Sequence, residues 1–195
     1  MINKRIAMAI TAGSALIIAG IAGCVAADDG SAATPETIIP IFQNDQVPGD
    51  ALPEEIKPQD LGIAEGADTR HLGSDSVAEY WVTLSDASEV CLVMHIPGGY
   101  EVAGSTCGTL SEFNQRGLKL KTATTIDGDS VSRVAYLFPS DVELTTLEPV
   151  ASKHSSLNSN SDSFVAMTPE QNAELEPHDM TRTDGANFTF YPLGS

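Results

Sequence analysis

The sequence predicts an α+β fold: a small, mainly antiparallel sheet with one short helix, preceded by a proline-rich tether. Strand-like runs of apolar and alternating residues lie between 77 and 138 and are separated by turn residues such as Asp127-Gly128. Thr109 and Glu112 have the spacing of a capping box, which predicts a helix of about two turns. Prolines recur before residue 66 and interrupt any regular helix or strand.

The first residues have the layout of an export signal. Lys4 and Arg5 provide a positive start, and the run 6–21 is apolar and uncharged. The run closes on the sequence Ile-Ala-Gly-Cys, which ends at Cys24 and resembles the lipobox of bacterial lipoproteins. That resemblance implies cleavage before Cys24 and a diacylglyceryl group on its sulfur. The alternatives are a plain signal peptide or a single membrane span, for which the run is short.

These features divide the chain into four parts. The predicted parts are a lipoprotein signal peptide (1–23), a lipid-anchored, acidic, proline-rich tether (24–66), a small α+β module (67–150) and a partly irregular tail (151–195). We therefore expect the protein to be held at the cell membrane through Cys24 and to face the extracytoplasmic side. Within the tether, the apolar cluster 38–42 is expected to dock on its own module.

The net charge restricts the possible partners. The chain carries a formal charge of −17, and loss of the two basic residues in the signal peptide makes the mature chain still more negative. Such a surface repels the phosphates of nucleic acids and the headgroups of anionic lipids, so no nucleic-acid partner is expected. Membrane contact should therefore come from the lipid rather than from a basic patch. Solubility outside the cell is sufficient to explain the acidity.

The cysteine count predicts a disulfide. The chain has three cysteines, and assigning Cys24 to lipid leaves Cys91 and Cys107 as a pair in an oxidising compartment. A bridge between them would close a loop of about 15 residues, worth about 3 kcal/mol in the chain-entropy model. Two free thiols or a metal-binding pair are the alternatives, although no His or Cys lies around them at zinc-ligand spacing.

The pattern of each segment predicts its element. In the run 89–96 both faces are largely apolar, which predicts a central strand that is covered on both sides. A loop is expected between residue 97 and Cys107, and Gly117 is expected to end the helix with a left-handed residue. The remaining predicted strands are 69–72, 77–84, 118–122 and 131–138.

The tail is expected to be less regular than the module. An extended segment is predicted over 142–150, a mobile Ser/Asn-rich segment over 153–163 and a helical turn within 169–177. The final stretch, 187–191, alternates in the manner of a strand and is expected to return to the sheet.

Part of the chain resembles small exported proteins of Actinobacteria. The resemblance lies in the stretches 80–82, 90–93 and 103–107, and in the acidic, proline-rich lead before them. It covers about residues 58–142 and contains no catalytic signature. It implies a lineage, a fold and a disulfide, and it implies nothing about mechanism.

Candidate chemical groups are scattered. The histidines are His71, His95, His154 and His178, and none falls in a recognisable motif. His95 shares a strand face with Cys91 and is interpreted as a core or edge histidine whose hydrogen bonds are satisfied. The sequence therefore predicts no catalytic residue, no cofactor and no metal site.

Three hypotheses for function follow. The first is a non-catalytic surface module that binds a ligand or has a structural role; the second is an accessory subunit of a membrane transporter or envelope enzyme, with an envelope protein as partner. The third is a small enzyme with an unrecognised site. A pocket that joins His71 or His95 to a carboxylate would favour the enzyme, whereas a broad exposed apolar patch would favour the other two.

Overall fold

A computed structural model describes residues 34–85, 89–98, 102–144, 147, 158–159 and 161–194. All of them fall within one compact unit, Ala33–Ser195. The predicted signal peptide, Cys24 and the first part of the tether lie outside the described residues, as does 153–157 of the segment expected to be mobile.

The larger sheet has five antiparallel strands. They are β1 (Asp68–Ser74), β2 (Glu79–Ser85), β3 (Glu89–Ile96), β4 (Val102–Thr109) and β7 (Asn158–Ser159), in the order β4-β3-β2-β1-β7. All of β3 after its first residue is buried, so the prediction of a central strand is confirmed. Most of β4 lies where a loop was predicted. The stretch is rich in Gly, Ser and Thr and lacks an apolar alternation, so its sequence does not indicate a strand, but pairing with β3 orders it.

Two smaller antiparallel sheets complete the β structure. One has the order β5-β6-β8, with β5 spanning Leu118–Ile126, β6 spanning Asp129–Leu137 and β8 spanning Phe164–Met167. The other pairs β9 (His178–Thr181) with β10 (Asn187–Phe190). Asp127 and Gly128 have φ values of 52° and 93° and form the predicted turn between β5 and β6. The prediction of a mainly antiparallel β protein is confirmed.

The helices are few and short. They are α1 (Pro35–Ile38), α2 (Leu110–Arg116) and α3 (Pro169–Ala173), and 3-10 turns cover Pro40–Gln43, Pro48–Asp50 and Pro58–Leu61. The label α+β therefore describes the fold only roughly.

The predicted helix α2 is present with its predicted capping box, and it ends at Gly117 as predicted, but with ψ −171° Gly117 is not in the left-handed helical conformation that was expected. The Thr109 hydroxyl accepts from the Glu112 amide at 3.2 Å, and the Glu112 carboxylate accepts from the Thr109 amide at 3.0 Å. Gly117 ends the helix at φ 65°. A Cβ at Gly117 would lie 2.6 Å from the carbonyl oxygen of Leu137, so the close approach of β6 also requires glycine there.

The main core lies between the five-stranded and three-stranded sheets. Ile38, Ile39 and Phe42 are buried in it, which confirms that the apolar cluster of the predicted tether docks on its own module. The expectation of a proline-rich tether therefore describes residues 34–66 only roughly, because several of their apolar side chains pack on the sheets. The core also holds the inward residues of β2 and β3, which are Tyr80, Val82, Val90, Leu92, Met94 and Ile96.

The hairpin β9–β10 covers the other face of the three-stranded sheet. Phe188 and Phe190 point inward and contact Phe138 with ring centroids 5.9 and 5.7 Å apart, and Phe190 also meets Tyr136. The strand predicted over 187–191 is present, but it pairs with β9 and does not return to the larger sheet. The packed module therefore extends beyond the boundary expected at residue 150.

Asp75 joins the two larger sheets. It lies after β1, and its carboxylate accepts from the Val77 and Ala78 amides at 2.7 and 2.9 Å, from the Tyr80 hydroxyl at 3.0 Å and from Arg133 Nε in β6 at 2.8 Å. Burial alone would raise the pKa of Asp75, but the hydrogen bonds from Arg133 and the two amides outweigh it, so the pKa lies below its usual value. Burial, followed by the charge of Asp75, raises the pKa of Tyr80.

We expect Asp75→Asn to lower the free energy of unfolding by about 3 kcal/mol, because it leaves the mostly buried Arg133 without its counter-ion. Urea unfolding at pH 7 measures the change. Asp129→Asn is the matched control: Asp129 is exposed at the start of β6, and its loss should change stability by less than about 0.5 kcal/mol.

The difference in stability between wild type and Asp75→Asn should also depend on pH, with a defined sign. The pKa of Asp75 is lower in the folded state than in the unfolded state. The contribution of Asp75 to the free energy of unfolding is therefore complete above the unfolded-state pKa of about 3.9, and it is lost as the pH falls through the folded-state pKa. The stability difference between wild type and Asp75→Asn should therefore shrink below about pH 4. A difference that stays constant down to pH 2 would contradict this assignment.

Candidate functional site

A cavity of 270 Å³ adjoins the outer face of the five-stranded sheet at His95. His95 lies near the end of β3 and is 3% exposed. Ala103 of β4, its cross-strand partner, forms part of the same wall. The opposite wall comes from the segment before β1, and the lining there includes Glu55, Ile56, Lys57, Asp60 and Leu61.

The segment that forms this second wall covers the outer face of the sheet; we call residues 47–67 the cover. Ile63 of the cover is buried against Trp81, Cys91 and Val93, and Leu61 packs beside it. Proline begins each of its two 3-10 turns, so the cover has no strand or α-helix of its own. It packs on the sheet through side chains.

Few hydrogen bonds hold the cover to the sheet. The Asp50 carboxylate accepts from the Val47 amide at 2.9 Å and from the His71 amide at 3.0 Å, which fixes the start of the cover to β1. Near its middle, the Ser105 hydroxyl donates to the carbonyl of Leu61 at 2.6 Å. Between these two points the attachment is mainly apolar.

The covered face contains buried polar groups that have no hydrogen-bond partner among the described residues. They are Nε1 of Trp81, the hydroxyls of Thr83 and Ser85, and both ring nitrogens of His95. Trp81, Thr83 and Ser85 are alternate residues of β2, so their side chains lie on one face of the sheet. His95 lies on the same face, because Val93, two residues before it in β3, is the register partner of Trp81. Each unpaired buried group costs about 1–3 kcal/mol. Water or a ligand that supplied hydrogen bonds would recover this free energy.

The described residues therefore do not bear out the interpretation of His95 as a histidine whose hydrogen bonds are satisfied. The alternation of β3 correctly places His95 on a face with Cys91 and Val93, and the residue is buried as expected. Its ring nitrogens nevertheless find no partner, because the apolar part of the cover and the small side chain of Ala103 offer none. The spacing of residues in the sequence could not have predicted this lack of partners, because residues 55–61, which form the opposite wall of the cavity, are distant from His95 along the chain.

The rim of the cavity carries charges of both signs. Glu55, Lys57 and Asp60 are exposed to solvent at the cavity, while His95 forms its buried end. Glu79 lies directly opposite His95 in the register of β2 and β3. The cavity therefore combines an imidazole in its depth with one cation and two carboxylates at its entrance.

The other histidines lie elsewhere. His71 packs its ring against Trp81, with centroids 5.3 Å apart, and His178 lies in the β9–β10 hairpin beside Phe190. His154 lies outside the described residues. Among the described residues that line the His95 cavity there is no Ser, Thr or Cys, so the cavity wall supplies no hydroxyl or thiol nucleophile.

Cys91 and Cys107 form a disulfide across β3 and β4, where they are direct register partners. Cys91 is buried under the cover, and Cys107 is exposed at the sheet edge. The side chain of Glu89 approaches both sulfurs within 4.8 Å. Because the two sulfurs are bonded to each other, they do not offer thiolates, and this cluster is not a metal site in the oxidised protein.

We expect Ile63→Ala to loosen the cover over Trp81, which is the only tryptophan of the chain and is 2% exposed. Quenching of its fluorescence by acrylamide should increase, because the apolar contact that shields the indole is lost. Val47→Ala, at a side chain that is 57% exposed, is the control and should leave quenching unchanged. Unchanged quenching in Ile63→Ala would show that Ile63 does not shield the indole.

Comparisons with known proteins do not identify a family. No family model matches the chain, and neither the curated proteins nor the solved structures give a significant match. Within the described part of the chain, no helix has the length and apolar character needed to cross a membrane.

Proposed function

We propose that this chain is a membrane-anchored, extracytoplasmic, non-catalytic binding protein whose ligand occupies the cavity at His95. The anchor is the lipid expected on Cys24, and the folded module presents the cavity at the envelope surface. The ligand is a small molecule that carries both an ammonium group and a carboxylate. The protein contacts the membrane through this lipid, and the negative charge of the chain excludes nucleic acid as a partner.

The observation that supports the proposal is the unpaired, buried imidazole of His95 at the end of a cavity. Structural histidines in a core normally have hydrogen-bond partners, because an unpaired polar group loses its hydration without compensation. A neutral imidazole offers one donor and one acceptor, so a ligand group that both accepts and donates satisfies it. The cavity volume of 270 Å³ lies just below the usual range of ligand pockets, which begins at about 300 Å³, so the cavity suits a small ligand.

The charges at the rim define the class of ligand. Lys57 provides a cation for a carboxylate, and Glu55 and Asp60 provide carboxylates for an ammonium group. A purely anionic ligand would meet two carboxylates at this rim in addition to the net charge of the chain. A molecule with both charges satisfies all three side chains together.

Small-molecule binding is also favoured over docking of a protein partner on an apolar surface. The large apolar side chains exposed in the described part of the chain are Val47 and Tyr191, so these residues form no broad apolar patch. The cavity, by contrast, brings a histidine and carboxylates together.

A cavity that joins His95 to carboxylates is the arrangement expected to favour an enzyme, so an enzyme that uses His95 for acid–base chemistry is the second candidate. We rank it below the binding protein because the described lining of the cavity supplies no hydroxyl or thiol nucleophile. His95 could exchange a proton with a ligand in the cavity, and Glu55 or Asp60 would orient it. Proton NMR of a bound amino acid over several hours separates the two functions. An unchanged ligand spectrum supports the binding protein, and the appearance of product signals supports the enzyme.

We expect His95→Leu to abolish ligand-induced stabilisation without lowering the stability of the free protein. Leu has a similar size and removes the unpaired ring nitrogens, which makes the exchange neutral or stabilising for the fold. Thermal unfolding is measured with and without each of the standard free amino acids. At least one should raise the Tm of the wild type, since binding to the folded state stabilises it.

The controls for this experiment test the location and the charges of the site. His178→Ala changes a histidine in the β9–β10 hairpin and should keep the full ligand-induced shift. Amino acids with a blocked amino group or a blocked carboxylate should give no shift. If no free amino acid stabilises the wild type, or if His95→Leu keeps the shift, the proposed ligand class or site is wrong.

We expect Cys24→Ala to release the protein from the membrane or to leave its precursor unprocessed, because the lipid is its only proposed anchor. Membrane fractionation and intact-mass spectrometry measure the two outcomes. Cys107→Ala serves as the control, since loss of that cysteine should not affect partition into the membrane. An unmodified Cys24 inside a mature peptide would contradict lipidation.

A further inference from the structure

A second and larger concavity lies on a different side of the molecule, between α2, the start of β5 and strand β10. Its volume is 750 Å³. We call it the basic groove, and the polar side chains of its lining that are at least partly exposed are Thr106, Gln115, Arg116, Lys119, Asn187, Thr189 and Tyr191. The Thr189 hydroxyl donates to the carboxylate of Asp179 at 2.8 Å. None of the residues that line the His95 cavity contributes to it.

The groove differs in charge from the chain as a whole. Arg116 and Lys119 line it, and its described lining includes no carboxylate, although the chain carries a net charge of −17. Arg116 pairs with Glu112 at 3.1 Å, but both side chains are exposed, so the pair is weak and the guanidinium keeps free N–H donors. Lys119 donates to the carbonyl of Tyr191 at 3.2 Å and also retains donors. Two cations therefore face one concave surface.

The uncharged side chains of the groove fit a hydroxyl-rich ligand. Tyr191 lines the groove and is 58% exposed, and Gln115 and Asn187 are also exposed in the lining. Primary amides and threonine hydroxyls both donate and accept hydrogen bonds, as sugar hydroxyls do. An exposed aromatic ring provides a flat apolar surface for the C–H face of a sugar ring.

We propose that the basic groove binds an acidic oligosaccharide. A carboxylate of the sugar chain lies between Arg116 and Lys119, and an adjacent sugar ring stacks on Tyr191. An acidic peptide shares the charge of the ligand but lacks the hydroxyls that the amides of the groove can bind.

The test titrates the full-length protein with a linear hexamer of galacturonic acid by calorimetry in low-salt buffer. Binding should occur and should weaken as salt is added, because exposed charges are screened. Tyr191→Ala should lower the affinity about tenfold or more, as expected for loss of a central aromatic contact. Arg116→Gln combined with Lys119→Gln should abolish measurable binding.

Matched controls locate the site. Lys121→Gln removes an exposed cation from the same strand, outside the groove, and should leave the affinity unchanged. A neutral glucose hexamer should not bind measurably, and a glutamate hexapeptide should bind at least tenfold more weakly than the acidic sugar. The proposal is overturned if the acidic sugar does not bind, if Lys121→Gln weakens binding as much as the groove variants do, or if the peptide binds equally well.

Discussion

The carboxylate of Asp75 is the constraint on which the arrangement of the two larger sheets depends. It closes the turn between β1 and β2 through two backbone amides, and the same group accepts from Arg133 on the opposite sheet. Apolar packing between sheets is non-directional, so it does not by itself fix how one sheet lies on the other. A hydrogen-bonded ion pair at their margin supplies that direction.

Sequence patterns predicted the elements whose signal is local. The capping box of α2, the Asp-Gly turn and the two-sided burial of β3 depend on neighbours within a few residues, and all three are present. The structure of residues 34–66 was not predictable in the same way. Repeated prolines exclude regular helix and strand, but they do not exclude packing, and Ile56 and Ile63 are buried without either.

The candidate site was predictable only in part. Alternation along β3 places His95 on the outer face, and this much follows from sequence. The charged residues at the rim of the cavity are distant from His95 in sequence. Glu55 and Asp60 reach the cavity through the path of the cover, and the hydrogen bonds of Asp50 and Leu61 fix that path. No periodicity encodes such contacts. The lack of a partner for His95 is likewise a property of the folded surroundings and has no sequence signal.

The cover and the sheet beneath it differ in how they resist opening. The sheet is held by continuous backbone pairing along β1 to β4, whereas the cover is held by the contacts of Asp50 and Leu61 and by a small apolar cluster. A segment with few hydrogen bonds opens locally at a lower free energy than the whole domain unfolds. When the cover opens, water can form hydrogen bonds with the unpaired polar groups of Trp81, Thr83, Ser85 and His95. These new hydrogen bonds lower the free energy needed for opening further. The polar face thus makes its own cover easier to displace, which gives a ligand access to His95 without unfolding the sheet.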